Sequence, residues 1–332
     1  MINGSSIPQS RLACIFIGNL IKNGLQERVP SFEEVIQVDF GRLITAMITP
    51  FDEQGNINWS ETSNMIEYLI EEQKSDSLVI CGTTGESPTL SDEEKLELFA
   101  FAVEHAKGRC KIIAGTGSNN TEHSVQLTRK AEKLGVDAAL LVVPYYNKPN
   151  QEGLYRHFEA IARGTNLPVI LYNVPGRTVT SLSVETTLRL AQIPNVVGTK
   201  ECASLEQVTL IASAAPEHFK VYSGDDSVTL PAIAVGAYGI VSVASHLIGA
   251  SMKDMIQAYL NGEAAEAAKL HQKLFPVFKG LFECPHPVPN PSALKYALNL
   301  LGRPVGGVRL PLVDPSESEA AFLRDLVASL QA

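Results

Sequence analysis

Lys200 is the residue whose type and position most directly suggest covalent chemistry. It ends the apolar run 195–200, so a strand here would carry the lysine into a pocket and not into bulk water. Burial disfavours the ammonium form and leaves a free amine that can attack a carbonyl carbon. The alternative is a structural lysine that pairs with Glu201 or extends to solvent. Spacing alone favours this alternative, because buried lysines are rare and usually paired.

Five other polar side chains also follow short apolar runs. The phenols of Tyr146 and Tyr172 suit proton relay during imine and carbon–carbon bond formation, although rim packing is commoner for tyrosines in such places. Thr83 and Thr84 lie between glycines, where hydroxyl and N–H groups bind a carboxylate or merely form a turn. Arg177 suits a carboxylate or a surface ion pair. Spacing leaves each of these alternatives open.

Eight short apolar runs, each followed by a segment of helical period, must position these side chains. Parallel strands covered by helices have this pattern, and the number eight favours a closed (β/α)₈ TIM barrel over an open doubly wound sheet. The active site of such a barrel lies at the carboxyl ends of its strands, where the residues above fall. The predicted strands are Leu43–Thr49, Ser77–Cys81, Lys111–Ala114, Ala138–Val143, Pro168–Tyr172, Val196–Lys200, Lys220–Ser223 and Gly239–Val243.

The chain divides into three predicted parts. Residues 38–262 form the catalytic barrel, and residues 263–332 form a C-terminal helical domain whose helices are separated by proline-rich breaks. Residues 1–37 form an N-terminal extension that is either disordered or not native. We hypothesise that the natural protein begins at Val38, because the codons for Glu33 and Glu34 resemble a ribosome-binding site when written GAG-GAG.

Composition excludes several classes of protein. The formal net charge of −9 argues against nucleic-acid and anionic-membrane partners. Five scattered cysteines without a C-x-x-C pair indicate neither disulfides nor zinc, and favour a reducing cytoplasm. We expect no metal and no cofactor, since the histidines are dispersed and Asp225 and Asp226 are more typical of a cap than of a cation site.

Several motifs, taken together in order and spacing, resemble the dihydrodipicolinate synthase branch of the pyruvate-dependent lyase family. The resemblance runs from about Val38 to the C-terminus. The motifs are Gly82-Thr-Thr-Gly-Glu86, Pro144-Tyr-Tyr-Asn147, Tyr172-Asn-Val-Pro175, Gly198-Thr-Lys-Glu201 and Ser223-Gly-Asp-Asp226.

The resemblance implies a class I aldolase-type lyase of lysine and diaminopimelate biosynthesis. Lys200 would form an imine with pyruvate, and the derived enamine would attack L-aspartate 4-semialdehyde. Cyclisation would then release the lysine and give 4-hydroxy-tetrahydrodipicolinate. The family also implies a homotetramer built as a dimer of dimers.

The resemblance also implies roles for the other site residues. Tyr172 would move protons, and Thr83 would link it to Tyr146 of a neighbouring subunit. Thr84 would bind the pyruvate carboxylate, and Arg177 would bind the carboxylate of the semialdehyde. The last two, Gly224 and Val241, would contribute backbone near the substrate.

Two alternative functions remain compatible with the pattern of residues. A related keto-acid aldolase would act on another aldehyde, but Arg177 and the Thr83-Thr84 pair differ from what sialic acid lyases carry. A catalytically silent barrel would sense a keto acid, but intact Lys200, Tyr172 and Tyr146 count against it.

Feedback inhibition by lysine is expected to be weak or absent. The lysine-inhibited members of the family carry histidines on the helix after Glu86 and a glutamate after the Gly-Thr-Gly turn. Here the matching positions are Asp92, Lys95 and His123, although Asn119 and Tyr145 are kept. Lys95 would repel the ammonium of a bound lysine, and His123 supplies no carboxylate.

Overall fold

Eight parallel strands close into a barrel in which each strand pairs with the next and β8 pairs with β1. The structure, a computed structural model, describes residues 38–331. The predicted extension at residues 1–37, and the hypothesis about the natural start, concern residues outside this part. The strands are β1 Leu43–Ala46, β2 Ser77–Ile80, β3 Lys111–Gly115, β4 Ala138–Val142, β5 Val169–Asn173, β6 Val196–Glu201, β7 Lys220–Ser223 and β8 Gly239–Ser242.

Helices follow the strands and cover the outside of the barrel, which confirms the predicted TIM-barrel fold. Two serine side chains cap helices of the barrel at their N-termini. Ser91 and Glu94 form a reciprocal capping box, and the Ser204 hydroxyl accepts from the N–H of Gln207. The helices of the barrel are α1 Trp59–Glu71, α2 Asp92–Ala106, α3 Thr121–Lys133, α4 Gln151–Ala162, α5 Pro175–Thr178, α6 Val184–Leu190, α7 Leu205–Ala214, α8 Thr229–Ala234 and α9 Ser245–Leu260.

Three further helices follow the barrel: α10 Ala264–Glu283, α11 Ser292–Leu300 and α12 Glu317–Gln331. All three lie within residues 263–332, for which helices were predicted. Helix α10 packs against α9, so the C-terminal helices are continuous with the outer layer of the barrel. The division of the chain at residue 262 stays a prediction.

Two helical segments differ from the prediction. The last barrel helix was expected at Met252–Leu260, but α9 begins at Ser245. Its first residues are buried without an exposed face, and Ile248 has non-helical dihedral angles, so no helical period marks this turn. Helix α5 has only four residues and was not predicted as a helix.

The alternation of side chains along the strands divides the core into two layers. On β5, Ile170 and Tyr172 face the barrel interior, whereas Val169 and Leu171 face the helices. Tyr172 is in register with Lys200 on β6, so the lysine also faces the interior. This register brings the two predicted catalytic side chains to the same edge of the barrel.

Candidate active site

Lys200 lies at the carboxyl end of β6 with only 5% of its surface exposed. Its Nζ is 4.4 Å from the centre of the Tyr172 ring. No carboxylate of the described residues lies within ion-pairing distance of this nitrogen, and it forms no hydrogen bond there. The amine is therefore buried, directed at the strand-end cavity and held against a phenol.

Glu201, the neighbour of Lys200, points away from it. Its carboxylate accepts hydrogen bonds from Asn173 Nδ2 at 3.0 Å and from the N–H of Ala203 at 2.7 Å. Gln207 Nε2 is a third donor, at 3.1 Å. Burial raises the pKa of Glu201 to about 7 against the effect of these donors. The alternative in which Lys200 pairs with Glu201 is therefore wrong, because strand alternation separates the two side chains.

Gly224, directly after β7, leaves the space that the lysine side chain uses. A Cβ at this position would lie 2.8 Å from Lys200 Cε and 2.2 Å from Cys202 Sγ. Both distances are shorter than the van der Waals contact distance between two carbon atoms or between carbon and sulfur. A side chain at residue 224 would therefore displace Lys200 and Cys202 from their present positions.

A cavity of about 480 Å³ opens at the carboxyl ends of the strands, in front of Lys200. Six of the eight predicted site residues line it: Thr83, Thr84, Tyr172, Arg177, Lys200 and Gly224. One wall was not predicted and comes from the C-terminal region, through Phe278 and Phe282 of α10 and through Asn290. No local pattern marks these three residues, because only the tertiary fold brings them to the barrel.

Arg177 lies on α5 at the mouth of this cavity, and its side chain is exposed. It forms no ion pair with any carboxylate in residues 38–331, so the alternative of a surface ion pair is wrong. An exposed guanidinium without a protein partner is free to bind the carboxylate of a ligand.

The turn that carries Thr83 and Thr84 is held by buried charge. Glu86 has a left-handed backbone (φ 56°) and only 2% exposure. Its carboxylate lies 2.7 Å from Lys295 Nζ and accepts from the N–H of Arg309 at 2.9 Å. Burial lowers the pKa of Lys295 to about 8. The turn is therefore fastened to α11 and to the segment after it.

The other two predicted site residues do not line the cavity. Tyr146 has a left-handed backbone (φ 72°), and 90% of its surface is exposed. Val241 is buried in the barrel interior, in the same layer as Tyr172. In this single chain no hydrogen bond joins the hydroxyls of Tyr172, Thr83 and Tyr146. The predicted hydroxyl relay is thus not closed within one subunit.

A second cavity, of about 370 Å³, shares Thr83, Tyr172 and Arg177 with the first. It also contains Lys95 and His123, two of the positions compared above for lysine inhibition. The carboxylate of Asp92 lies outside the lining but accepts from His123 Nε2 at 2.8 Å, with Lys95 Nζ at 3.9 Å.

Within residues 38–331 no cluster of three or more His, Cys, Asp and Glu side chains is arranged to hold a metal ion. No helix in this part of the chain has the length and apolar character that crossing a membrane requires.

Comparison with known proteins decides the family. The model of the dihydrodipicolinate synthetase family matches residues 39–330, nearly the whole described chain. The chain belongs to this family. A 4-hydroxy-tetrahydrodipicolinate synthase of Bacillus subtilis is 56% identical over 295 residues, which cover 88% of this chain and all of that protein.

Solved structures of dihydrodipicolinate synthases agree with this assignment. The enzyme from Bacillus anthracis superposes with a TM-score of 0.85 at 50% identity, covering 88% of this chain and 99% of that one. The enzyme from Acinetobacter baumannii, solved as a complex with pyruvate, gives a TM-score of 0.84 at 39% identity with the same coverage of both chains. The predicted family, fold and class of enzyme, a class I aldolase-type lyase, are confirmed.

Proposed function

We propose that the protein condenses pyruvate with L-aspartate 4-semialdehyde on Lys200, as a 4-hydroxy-tetrahydrodipicolinate synthase of lysine biosynthesis. The observation that carries the proposal is the environment of Lys200, a buried amine without an ion pair, 4.4 Å from the Tyr172 ring, in a cavity with Arg177 at its mouth. The activity of the Bacillus subtilis relative supports the same reaction.

The reaction begins when the Lys200 amine attacks the ketone carbon of pyruvate. Water leaves, an imine forms, and loss of a methyl proton gives the enamine. The enamine carbon then bonds to the aldehyde carbon of the semialdehyde, whose oxygen takes up a proton. The amino group of the bound semialdehyde next attacks the imine carbon, which closes the ring and releases the Lys200 amine.

The side chains around Lys200 have separate tasks in this scheme. Tyr172 donates and accepts the protons, since its ring lies against the lysine nitrogen. Thr84 binds the carboxylate of pyruvate, and Arg177 binds that of the semialdehyde. The backbone of Gly224, which lines the cavity, lies near the bound substrate in this scheme, whereas Val241 stays in the buried barrel interior. No metal and no organic cofactor takes part in the scheme.

The exposure of Tyr146 supports an assembly in which subunits complete each other's sites. A tyrosine with 90% of its surface exposed next to Asn147 and Tyr145 is suited to enter a neighbouring subunit. There it joins Thr83 and Tyr172 in a chain of hydroxyls. We infer a homotetramer, built as a dimer of dimers and located in the cytoplasm.

The deciding experiment combines an assay with chemical trapping. Borohydride with pyruvate should add the mass of one reduced pyruvate adduct at Lys200, and Lys200→Ala should lose both the adduct and the activity with aspartate semialdehyde. Lys220→Ala is the matched control, because this lysine lies at the opposite end of the barrel, at the start of β7. Full activity of Lys200→Ala would refute the mechanism.

The same assay separates the two rival functions. A keto-acid aldolase of another specificity would form the adduct but use a different aldehyde faster than aspartate semialdehyde. A catalytically silent sensor would give no mass increase at Lys200.

A further inference from the structure

Asn290 connects the C-terminal region directly to the site of the pyruvate carboxylate. Its Nδ2 donates to Thr84 Oγ1 at 3.0 Å, and the two residues are 206 positions apart in the chain. Both side chains are buried, with Asn290 6% and Thr84 2% exposed, and both line the cavity in front of Lys200.

This hydrogen bond determines what the Thr84 hydroxyl can do. A threonine hydroxyl has one proton to donate and two lone pairs that accept. The amide of Asn290 occupies one lone pair, and within the described chain Thr84 Oγ1 donates no hydrogen bond of its own. Its proton is therefore left for a group inside the cavity, and an anionic acceptor satisfies it best.

The surroundings hold this arrangement rigidly from both sides. On the barrel side, Thr49 Oγ1 donates to the carbonyl of Gly85 at 2.7 Å. On the C-terminal side, α11 begins two residues after Asn290, and its Lys295 forms the buried ion pair with Glu86. Lys295 Nζ also donates to the carbonyl of Gly307 at 2.7 Å. The chain on both sides of the Asn290–Thr84 hydrogen bond is thus tied by buried contacts.

We propose that Asn290 is a positioning residue for pyruvate, which acts through Thr84 by keeping the Thr84 hydroxyl as a donor to the pyruvate carboxylate. The proposal rests on the function proposed above. A residue of the C-terminal helical region would thus help the barrel site to select a 2-oxo acid. In such an acid the carboxylate is bonded directly to the reacting carbonyl carbon.

The test is a double-mutant cycle on the KM for pyruvate. Asn290→Leu removes the donor at similar volume and should raise this KM about tenfold, because a hydrogen bond to a charged group is weakened. The KM for aspartate semialdehyde should not change. In a Thr84→Val background the same substitution should raise the KM for pyruvate by less than about twofold. The effects of two residues that act through one another are not additive.

Asn290→Asp tests the direction of the hydrogen bond. A carboxylate at residue 290 would accept the Thr84 proton and repel the pyruvate carboxylate, so the KM for pyruvate should rise above that of Asn290→Leu. Asn290→Ala removes the same donor with less bulk, and serves if Asn290→Leu does not fold. Asn299→Asp is the matched control, since this exposed asparagine of α11 donates only to the carbonyl of Gly306.

The outcomes are distinguishable. A wild-type KM for pyruvate in folded Asn290→Leu or Asn290→Asp would overturn the role of Asn290, and so would full additivity with Thr84→Val. If Thr84→Val itself leaves the KM for pyruvate unchanged, the role of Thr84 in the proposed function also fails. The Lys200 adduct would still form in that case, so the two failures are told apart.

Discussion

Gly224 and Lys200 fit together so closely that a single methyl group at residue 224 would overlap the lysine side chain. A Cβ there would lie 2.8 Å from Lys200 Cε, and the flexible lysine would have to move away. The position of the Lys200 amine is therefore set partly by the absence of a side chain on the adjacent strand end.

Gly224→Ala should lower kcat by about 100-fold, because a displacement of about 1 Å at a reacting group has an effect of this size. Steady-state kinetics and borohydride trapping with pyruvate measure the loss. Gly153→Ala on α4 is the matched control, since its Cβ would meet nothing closer than 3.3 Å. Wild-type kcat in folded Gly224→Ala would show that Lys200 does not need this space.

The buried pair of Glu86 and Lys295 gives a prediction about stability. Lys295→Met should lower the free energy of unfolding by about 3–5 kcal/mol, because the Glu86 carboxylate stays buried without its cation. The double variant Glu86→Gln, Lys295→Met should regain most of this loss, since no unpaired charge remains. Denaturant titration measures both.

Lys269→Met is the control for this pair. Lys269 forms an exposed ion pair with Glu266 on α10, and removing it should change the free energy of unfolding by less than about 1 kcal/mol. Equal losses of unfolding free energy in Lys269→Met and Lys295→Met would contradict the prediction that the buried pair matters more than the exposed one.

Two buried histidines predict loss of stability in acid. Burial lowers the pKa of both His157 and His246 to about 4. Between pH 6.5 and 4 the unfolded chain binds protons that the folded chain does not, so stability falls as pH falls through this window, by up to about 1.4 kcal/mol per pH unit for each histidine. Glu201, whose pKa is raised to about 7, acts in the opposite direction between pH 4.5 and 7.

Comparing the pH dependence of the unfolding free energy in a variant and in the wild type isolates the contribution of one histidine. His157→Phe should make the dependence of unfolding free energy on pH less steep between pH 6.5 and 4. Identical slopes for His157→Phe and the wild type would mean that His157 is protonated in the folded state.

Lysine should inhibit the enzyme weakly or not at all. In the cavity beside the active site, Lys95 contributes a positive charge, and the carboxylate of Asp92 next to it already accepts from His123 Nε2 at 2.8 Å. A lysine ligand would need carboxylates for its ammonium groups and would find a cation instead. Half-inhibition at micromolar or low millimolar lysine, measured in the condensation assay, would overturn this prediction.

The barrel could be predicted from the sequence because each strand is a short apolar run with polar or turn-forming residues at its ends. Each long helix also has a clear hydrophobic period or a cap. The sequence was insufficient where the signal is not local. Helix α5 has too few residues for a period, and the first turn of α9 is buried on all sides. Within the site, spacing alone favours a structural role for Lys200, whereas the alternation of side chains along β6 separates Lys200 from Glu201.

The residues that could not be predicted from the sequence contact the barrel but lie far from their partners along the chain. Asn290 and Lys295 lie in a segment that reads as a proline-rich break followed by an ordinary amphipathic helix. Their partners, Thr84 and Glu86, lie in the second strand-end turn of the barrel. No periodicity or motif connects positions about 200 residues apart, so only the folded structure reveals these pairs.

The fastening of this early turn by late residues also has a consequence for synthesis on the ribosome. The chain emerges from its N-terminus, so all eight strands are available while Asn290, Lys295 and Arg309 are still inside the exit tunnel or not yet translated. A nascent chain of this length contains Lys200 and Glu86 but not the cation that pairs with Glu86. The turn that carries Thr84 and Glu86 is therefore fastened only in the last stage of translation, and a chain released before residue 295 would keep the Glu86 carboxylate without its cation.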